Sequence, residues 1–210
     1  MRLKHIKGAE EIVSNSDYVI KNPEQYKGKY KELFNNNNPI YIEIGMGKGS
    51  FIINNALKYP NINFIGIEKY DSVMVKAIKK LEELNINNLK LIRMDAINIS
   101  NIFDKEISLL YLNFSDPWPK ERHAKRRLTS PEFLKRYNSI FKDQKRIEFK
   151  TDNRKLFEYS LMTLNNEKYI FDKISLNLYE DDIKSNIPTE YEIKFSSKGF
   201  LIYMIKAYKD

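Results

Sequence analysis

Residues 40–50 read Ile-Tyr-Ile-Glu43-Ile-Gly45-Met-Gly47-Lys-Gly49-Ser50. The β-branched run Ile40–Ile44 follows Asn35–Asn38 and Pro39, a loop signal, and predicts a strand. Ser50–Lys58 has helical character and is followed by Pro60. A glycine tract at a strand-to-helix turn lets the backbone pass close to a ligand in conformations closed to other residues. Taken alone, the same tract also suits a tight turn with close helix–strand packing.

Outward from this point the chain alternates. Strands are predicted at Asn63–Ile67, Leu89–Arg93, Ser108–Phe114 and Arg146–Lys150. Helices are predicted at Ser72–Leu84, with Val73, Ala77, Ile78, Leu81 and Leu84 on one stripe, and at Asn153–Asn165. Between the last two of these strands, Thr129 or Ser130 caps a further helix, with Pro131 in its first turn and Glu132 placed for a capping box. Alternation of this kind predicts an α/β fold with a mostly parallel sheet and right-handed crossovers. Tyr169–Asn177 and Gly199–Tyr208 read as two final strands. They are expected to pair antiparallel at an edge, with a long loop from Leu178 to Lys198 and no helix between them. Residues 1–210 are read as a single domain, with 1–38 as a helical N-terminal extension facing the partner.

Composition narrows the chemistry. There is no cysteine and there are two histidines, His5 and His123, so thiolate chemistry and a histidine-rich metal site are disfavoured and no metal is expected. No apolar run is long enough to cross a bilayer, and no secretory h-region follows the basic start. The expected setting is the cytoplasm, without membrane association, as a monomer or homodimer. The net charge is +8 and it is concentrated. Arg2, Lys4 and Lys7 give +3, and the five Lys/Arg of residues 120–127 against Glu121 give +4, so two short segments hold seven of the eight excess charges. Concentrated positive charge points to a polyanionic partner.

Glu68 ends the second predicted strand 21 residues after Gly47, where a carboxylate accepts the hydroxyls of an adenosine ribose. Three features turn the cofactor from NAD toward S-adenosylmethionine. The spacing is G-x-G-x-G, Ser50 takes the place of a third dinucleotide glycine, and Glu43 precedes the tract. Here the chain resembles class I methyltransferases, which have a Rossmann-like fold with a seven-stranded sheet and helices on both faces. The resemblance implies S-adenosylmethionine binding by Gly45, Gly47, Gly49 and Asp116, with Glu43 near the methionine moiety, Glu68 on the ribose and Asp95 near the adenine.

The predicted fourth strand leads into Ser115-Asp116-Pro-Trp118-Pro-Lys120, then Arg122-His123-Ala124-Lys125-Arg126-Arg127. A charge run is ordinarily a solvated face, but this one adjoins the carboxyl end of the strands. With the M-R-L-K start, the glycine tract, Gly66-Ile67-Glu68, Thr151-Asp152-Asn153 and Thr189-Glu190-Tyr191-Glu192, it resembles the bacterial tRNA (guanine-N7-)-methyltransferase family over nearly the whole chain. The resemblance implies tRNA as the partner, rather than DNA, and its variable-loop guanosine as the target. It places Asp116 at the catalytic centre, Lys120, Asp152 and Thr189–Glu192 on the substrate, and Arg122–Arg127 along the RNA. Read without the family, Asp152 suits a helix cap equally well, and Thr189–Glu192 suits a loop. Two alternatives stay open, a methyltransferase acting on another RNA or base and a catalytically silent RNA-binding relative.

Guanine N7 carries a lone pair and no proton at neutral pH, so the reaction needs positioning and charge stabilisation but no general base. The target base must leave its stack, with Trp118 or a tyrosine as a candidate stacking surface.

Overall fold

The strands are β1 (Ile40–Ile44), β2 (Asn63–Glu68), β3 (Leu89–Arg93), β4 (Ile107–Asn113), β5 (Lys145–Thr151), β6 (Ile170–Ser175) and β7 (Tyr203–Lys209). The computed structural model describes residues 6–181, 184 and 186–210. Arg2, Lys4 and His5 of the basic start, and its M-R-L-K motif, lie outside the described residues. The strands form one sheet in the order β3-β2-β1-β4-β5-β7-β6. β1 to β5 pair parallel, and β7 runs antiparallel between β5 and β6.

Period-2 alternation sorts the side chains onto two faces, each with its own core. Ile42, Ile65, Leu110 and Ile147 join one core with residues of α2 (Tyr30–Phe34), α5 (Ile99–Ile102), α6 (Pro131–Tyr137) and α7 (Arg154–Asn166). Phe64, Leu89, Leu91, Leu109 and Tyr111 join the other, under α1 (Ala9–Asn15), α3 (Ser50–Lys58) and α4 (Asp71–Leu84). Helices therefore cover both faces. The buried side of α4 is Met74, Val75, Ala77, Ile78 and Leu81, while Leu84 is exposed, so the stripe is rotated from the expected one. In the lead-in, the Glu106 carboxylate accepts from the backbone of Gly28 and Tyr30, and Tyr18 and Ile20 exchange backbone hydrogen bonds with Leu91 at the β3 edge. That bridge blunts an otherwise open sheet edge.

Two local expectations are corrected. α6 is capped by Ser130, whose side chain accepts from Phe133 N, so Glu132 falls one position short of a capping box, and Thr129 bonds the Ser160 hydroxyl instead. The final strands do pair antiparallel, but the segment joining them contains α8 (Glu190–Ser196). Its N-cap Thr189 and third residue Glu192 form a reciprocal capping box, the T-x-x-E signature of a helix start. Among the described residues no helix is long and apolar enough to cross a membrane, and no cluster of three or more metal-ligating side chains occurs.

Candidate functional site

The carboxyl ends of β1, β2, β4 and β5 bring the predicted groups to one edge of the sheet. Gly47 has φ 59°, a conformation that glycine adopts without strain, and aims its N–H at Glu68 Oε2, 3.0 Å away. A Cβ built at Gly45 or Gly47 meets nothing within 4 Å, so open space lies over the tract. Gly49 differs. A Cβ there falls 2.8 Å from Ala77 Cβ, so this glycine is required by the approach of α3 to α4, a packing role beside the cofactor role expected of it.

Glu68 is nearly buried. Its Oε1 accepts from the N–H groups of Lys69 and Tyr70 at 2.8 and 3.1 Å. Burial raises its carboxyl above the ordinary range, the three backbone donors pull it down, and the charge of Asp116 adds to the rise. Asp116 itself is exposed on the loop after β4, three residues past the end of that strand.

Glu43 points to the α3 side of the sheet and is fully enclosed. Asn113 Nδ2 donates to its Oε1 at 2.9 Å, while Glu43 Oε2 and Asn113 Oδ1 are buried with no partner among the described residues. Burial pushes the Glu43 carboxyl up to about 7, against the lowering pull of Asn113 and of the Lys150 ammonium. Two orphaned acceptors side by side suit a ligand that brings donors, because an unmade buried hydrogen bond costs about 1–3 kcal/mol.

Lys150 is one of two groups the sequence reading missed. It is buried, its ammonium lies 2.6 Å from Glu192 Oε2, and it donates to Asn186 Oδ1 and the Ile187 carbonyl, each at 3.1 Å. Burial lowers its pKa, opposed by Glu192 and Glu43. Glu192, expected on the substrate, is completely buried. It serves this ion pair, the capping box and Asn186, and Thr189 beside it is a cap. Within the chain, both therefore support α8. Asn113 was missed as well. Its signal was a polar residue ending an apolar strand in register with Lys150.

The other predicted residues fall into three settings. Glu190 is exposed and grips Lys48, Lys80 and Ser50, and these partners, Lys80 foremost, hold its carboxyl down at about 2. It fastens α8 to the glycine tract. Asp152 is no helix cap, because Asn153 Oδ1 takes that place on Leu156 N. Asp152 Oδ2 instead accepts from the Tyr191 hydroxyl at 3.2 Å. Asp95 caps the short 3-10 turn Ala96–Asn98 and pairs with Lys69 at 2.6 Å, which lowers its pKa.

The loop after β4 is built on two non-glycine residues in the left-handed region, Phe114 (φ 49°) and Trp118 (φ 42°). Such conformations cost about 1–3 kcal/mol each and need outside support. Arg127 supplies it. It is buried, donates to the carbonyls of Pro117 and Trp118 at 3.2 and 3.1 Å, and covers the Tyr159 ring at 4.2 Å. Within the chain, Arg127 thus acts as a brace for this loop. Lys120, Arg122, Lys125 and Arg126 remain exposed on and before the 3-10 turn Glu121–Arg126, with His123 and Ala124 half-buried among them. Arg126 lies 4.9 Å over Trp118, whose edge meets His123, so the tryptophan is already partly covered.

A family model described as "Putative methyltransferase" matches residues 37–205. Proteins named tRNA (guanine-N(7)-)-methyltransferase match the chain end to end. One, from Lachnoclostridium phytofermentans, is 50% identical over 212 residues, covering 100% of this chain and 99% of that protein. Another, from Bacillus cytotoxicus, is 51% identical, covering 99% and 96%. The fold is shared with a SAM-dependent methyltransferase from Aquifex aeolicus (11% identity, TM-score 0.57, 98% and 99% covered). It is shared also with the 16S rRNA methyltransferase KamB (11%, TM-score 0.66, 86% and 92% covered). The chain belongs to the tRNA (guanine-N(7)-)-methyltransferase family.

Proposed function

We propose that the chain transfers a methyl group from S-adenosylmethionine to N7 of the variable-loop guanosine of tRNA, in the cytoplasm. The observation that carries this reading is the meeting of two structures at one sheet edge. An open glycine cradle with buried carboxylates adjoins a stapled loop whose exposed face is basic.

The residues present fit the cofactor. Glu68 accepts from the ribose hydroxyls, the orphaned oxygens of Glu43 and Asn113 receive the ammonium of the methionine moiety, and Asp95 lies toward the adenine. Bound there, the cofactor supplies an electrophilic methyl group on a sulfonium. Asp116 orients the guanine and stabilises the positive charge that develops on its ring, from a loop that Arg127 holds in place. Asp152, hydrogen-bonded to Tyr191 of α8, is the carboxylate that accepts from guanine N1–H and the exocyclic amine. Lys120, Arg122, Lys125 and Arg126 neutralise phosphates.

Incubating the protein with tRNA and methyl-labelled S-adenosylmethionine, followed by borohydride and aniline, tests the reading. A labelled tRNA that breaks at the variable-loop guanosine is expected. Labelled tRNA without a break moves the methyl group to another atom, and cofactor binding without any label makes the chain a silent RNA-binding relative.

A further inference from the structure

α8 and the segments beside it carry a run of aromatic rings, of which the roles above use only Tyr191. Tyr191 and Phe195 lie one turn apart on the same helix face, with ring centroids 4.0 Å apart and planes 16° from parallel. Gly199, at φ 81°, turns the chain so that Phe200 N donates to the Phe195 carbonyl at 3.1 Å and the Phe200 ring meets Phe195 at 5.4 Å, edge to face. At the other end Phe114, two residues before Asp116, lies 4.9 Å from the Tyr191 ring. Four rings thus run without a break from the loop of Asp116 to the outer surface. Tyr191 is 41% and Phe200 51% exposed, more than isolated surface apolar groups need explain. The ammoniums of Lys194 and Lys198 stand 5.9 and 5.8 Å from the Phe195 ring centroid.

We propose that Tyr191, Phe195 and Phe200, with Lys194 and Lys198, form a stacking surface for the unpaired nucleotides that flank the target guanosine. The inference rests on the tRNA reading above. When the guanosine leaves its stack, each neighbour loses one stacked face, and an aromatic ring replaces it for any base. Lysines beside the rings meet the phosphates between those bases. α8 is rigid enough for this because its first turn is fixed by the capping box and by Lys150. Charge favours RNA over a second copy of the chain, since a two-fold contact through this surface would set the same lysines near one another.

The test compares Phe200→Ala, Phe200→Leu and Phe200→Trp for binding of unmodified tRNA and of S-adenosylmethionine, with sedimentation of each protein. Ala and Leu are expected to raise the tRNA Kd by about five- to a hundredfold, Trp to preserve it, and all three to leave cofactor affinity unchanged. Lys194→Ala with Lys198→Ala is expected to flatten the salt dependence by about 0.7 in log–log slope per lost contact. If Leu binds tRNA like wild type, or if Ala changes only the sedimentation, the surface is an apolar contact between copies and the proposal fails. Wild-type protein that methylates tRNA while Phe200→Ala binds it equally well overturns the stacking surface alone. Wild-type protein that binds no tRNA overturns the reading beneath it as well.

Discussion

At the end of β1 and β2 two carboxylates, Glu43 and Glu68, are enclosed and held by directed hydrogen bonds, whereas the run from Lys120 to Arg126 after β4 is mostly basic and exposed. Glu68 takes three N–H groups and Glu43 sits wholly inside the protein. Of the basic run only Arg127 is buried, and it supports the loop that displays the others. The difference follows from the ligands assigned to each end. A small cofactor is recognised by a few directed bonds in a low-dielectric pocket, where a charge–dipole bond is strong. A polyanion is recognised by counterion release along an extended surface, which needs mobile, solvated cations. Lys150 joins the two ends, because its salt bridge to Glu192 fixes the helix that carries Tyr191 and Glu190.

Removing that link has the largest expected effect. Lys150→Met leaves Glu192 buried without its counter-ion, at a cost of about 3–5 kcal/mol, or a Tm lower by about 6–20 °C. The double variant Lys150→Met/Glu192→Leu recovers most of the loss in the same thermal melt. A single variant that melts with wild type would mean the pair is not enclosed. Next is Asp116. Asp116→Ala lowers the single-turnover methylation rate at saturating cofactor by about a hundredfold, and equal wild-type rates in Asp116→Ala and Asp116→Asn would remove it from the reaction.

Glu43 sharpens the comparison through pH. Its carboxyl stands at about 7 in the folded chain against 4.5 for the free group, so folding favours its protonated form. The associated stability is fully present below about pH 4.5 and is lost as pH rises through about 7, on the order of 3 kcal/mol in all. Urea melts at pH 5 and pH 8 should show this loss in the cofactor-free protein, and Glu43→Gln should remove Glu43's share of it. Identical slopes for the two proteins would show that Glu43 ionises freely. Smaller again is the contrast within the basic run. Arg127→Ala costs about 1–3 kcal/mol of stability through the loop carbonyls it leaves unmet. Arg126→Ala leaves stability within about 0.5 kcal/mol and reduces the log–log salt slope of tRNA binding by about 0.7–0.9.

The strands and their order of appearance were legible because alternation and near-continuous apolar runs are local signals, and Ser50–Lys58 and Leu89–Arg93 match the structure at both ends. The residues gathered at the site were legible too, since glycines, acids and prolines at strand ends advertise themselves. What stayed hidden was partnership. Nothing near Lys150 in the chain announces Glu192, 42 residues on, and a run of basic residues does not say that Arg127 turns inward. The case of α8 is different. Its start signal, Thr189 followed by Glu192, was present in the sequence, but the whole of Leu178–Lys198 read as one long loop.

The division between the two ends is tested most directly by one paired titration. Binding of S-adenosylmethionine and of tRNA is measured across a salt series for wild type, Glu68→Gln and the double variant Arg122→Ala/Arg126→Ala. Glu68→Gln should weaken the cofactor by about ten- to a hundredfold, with tRNA affinity and its salt slope unchanged. The arginine variant should flatten only the tRNA slope. Loss of tRNA binding in Glu68→Gln, or loss of cofactor binding in the arginine variant, would contradict the account.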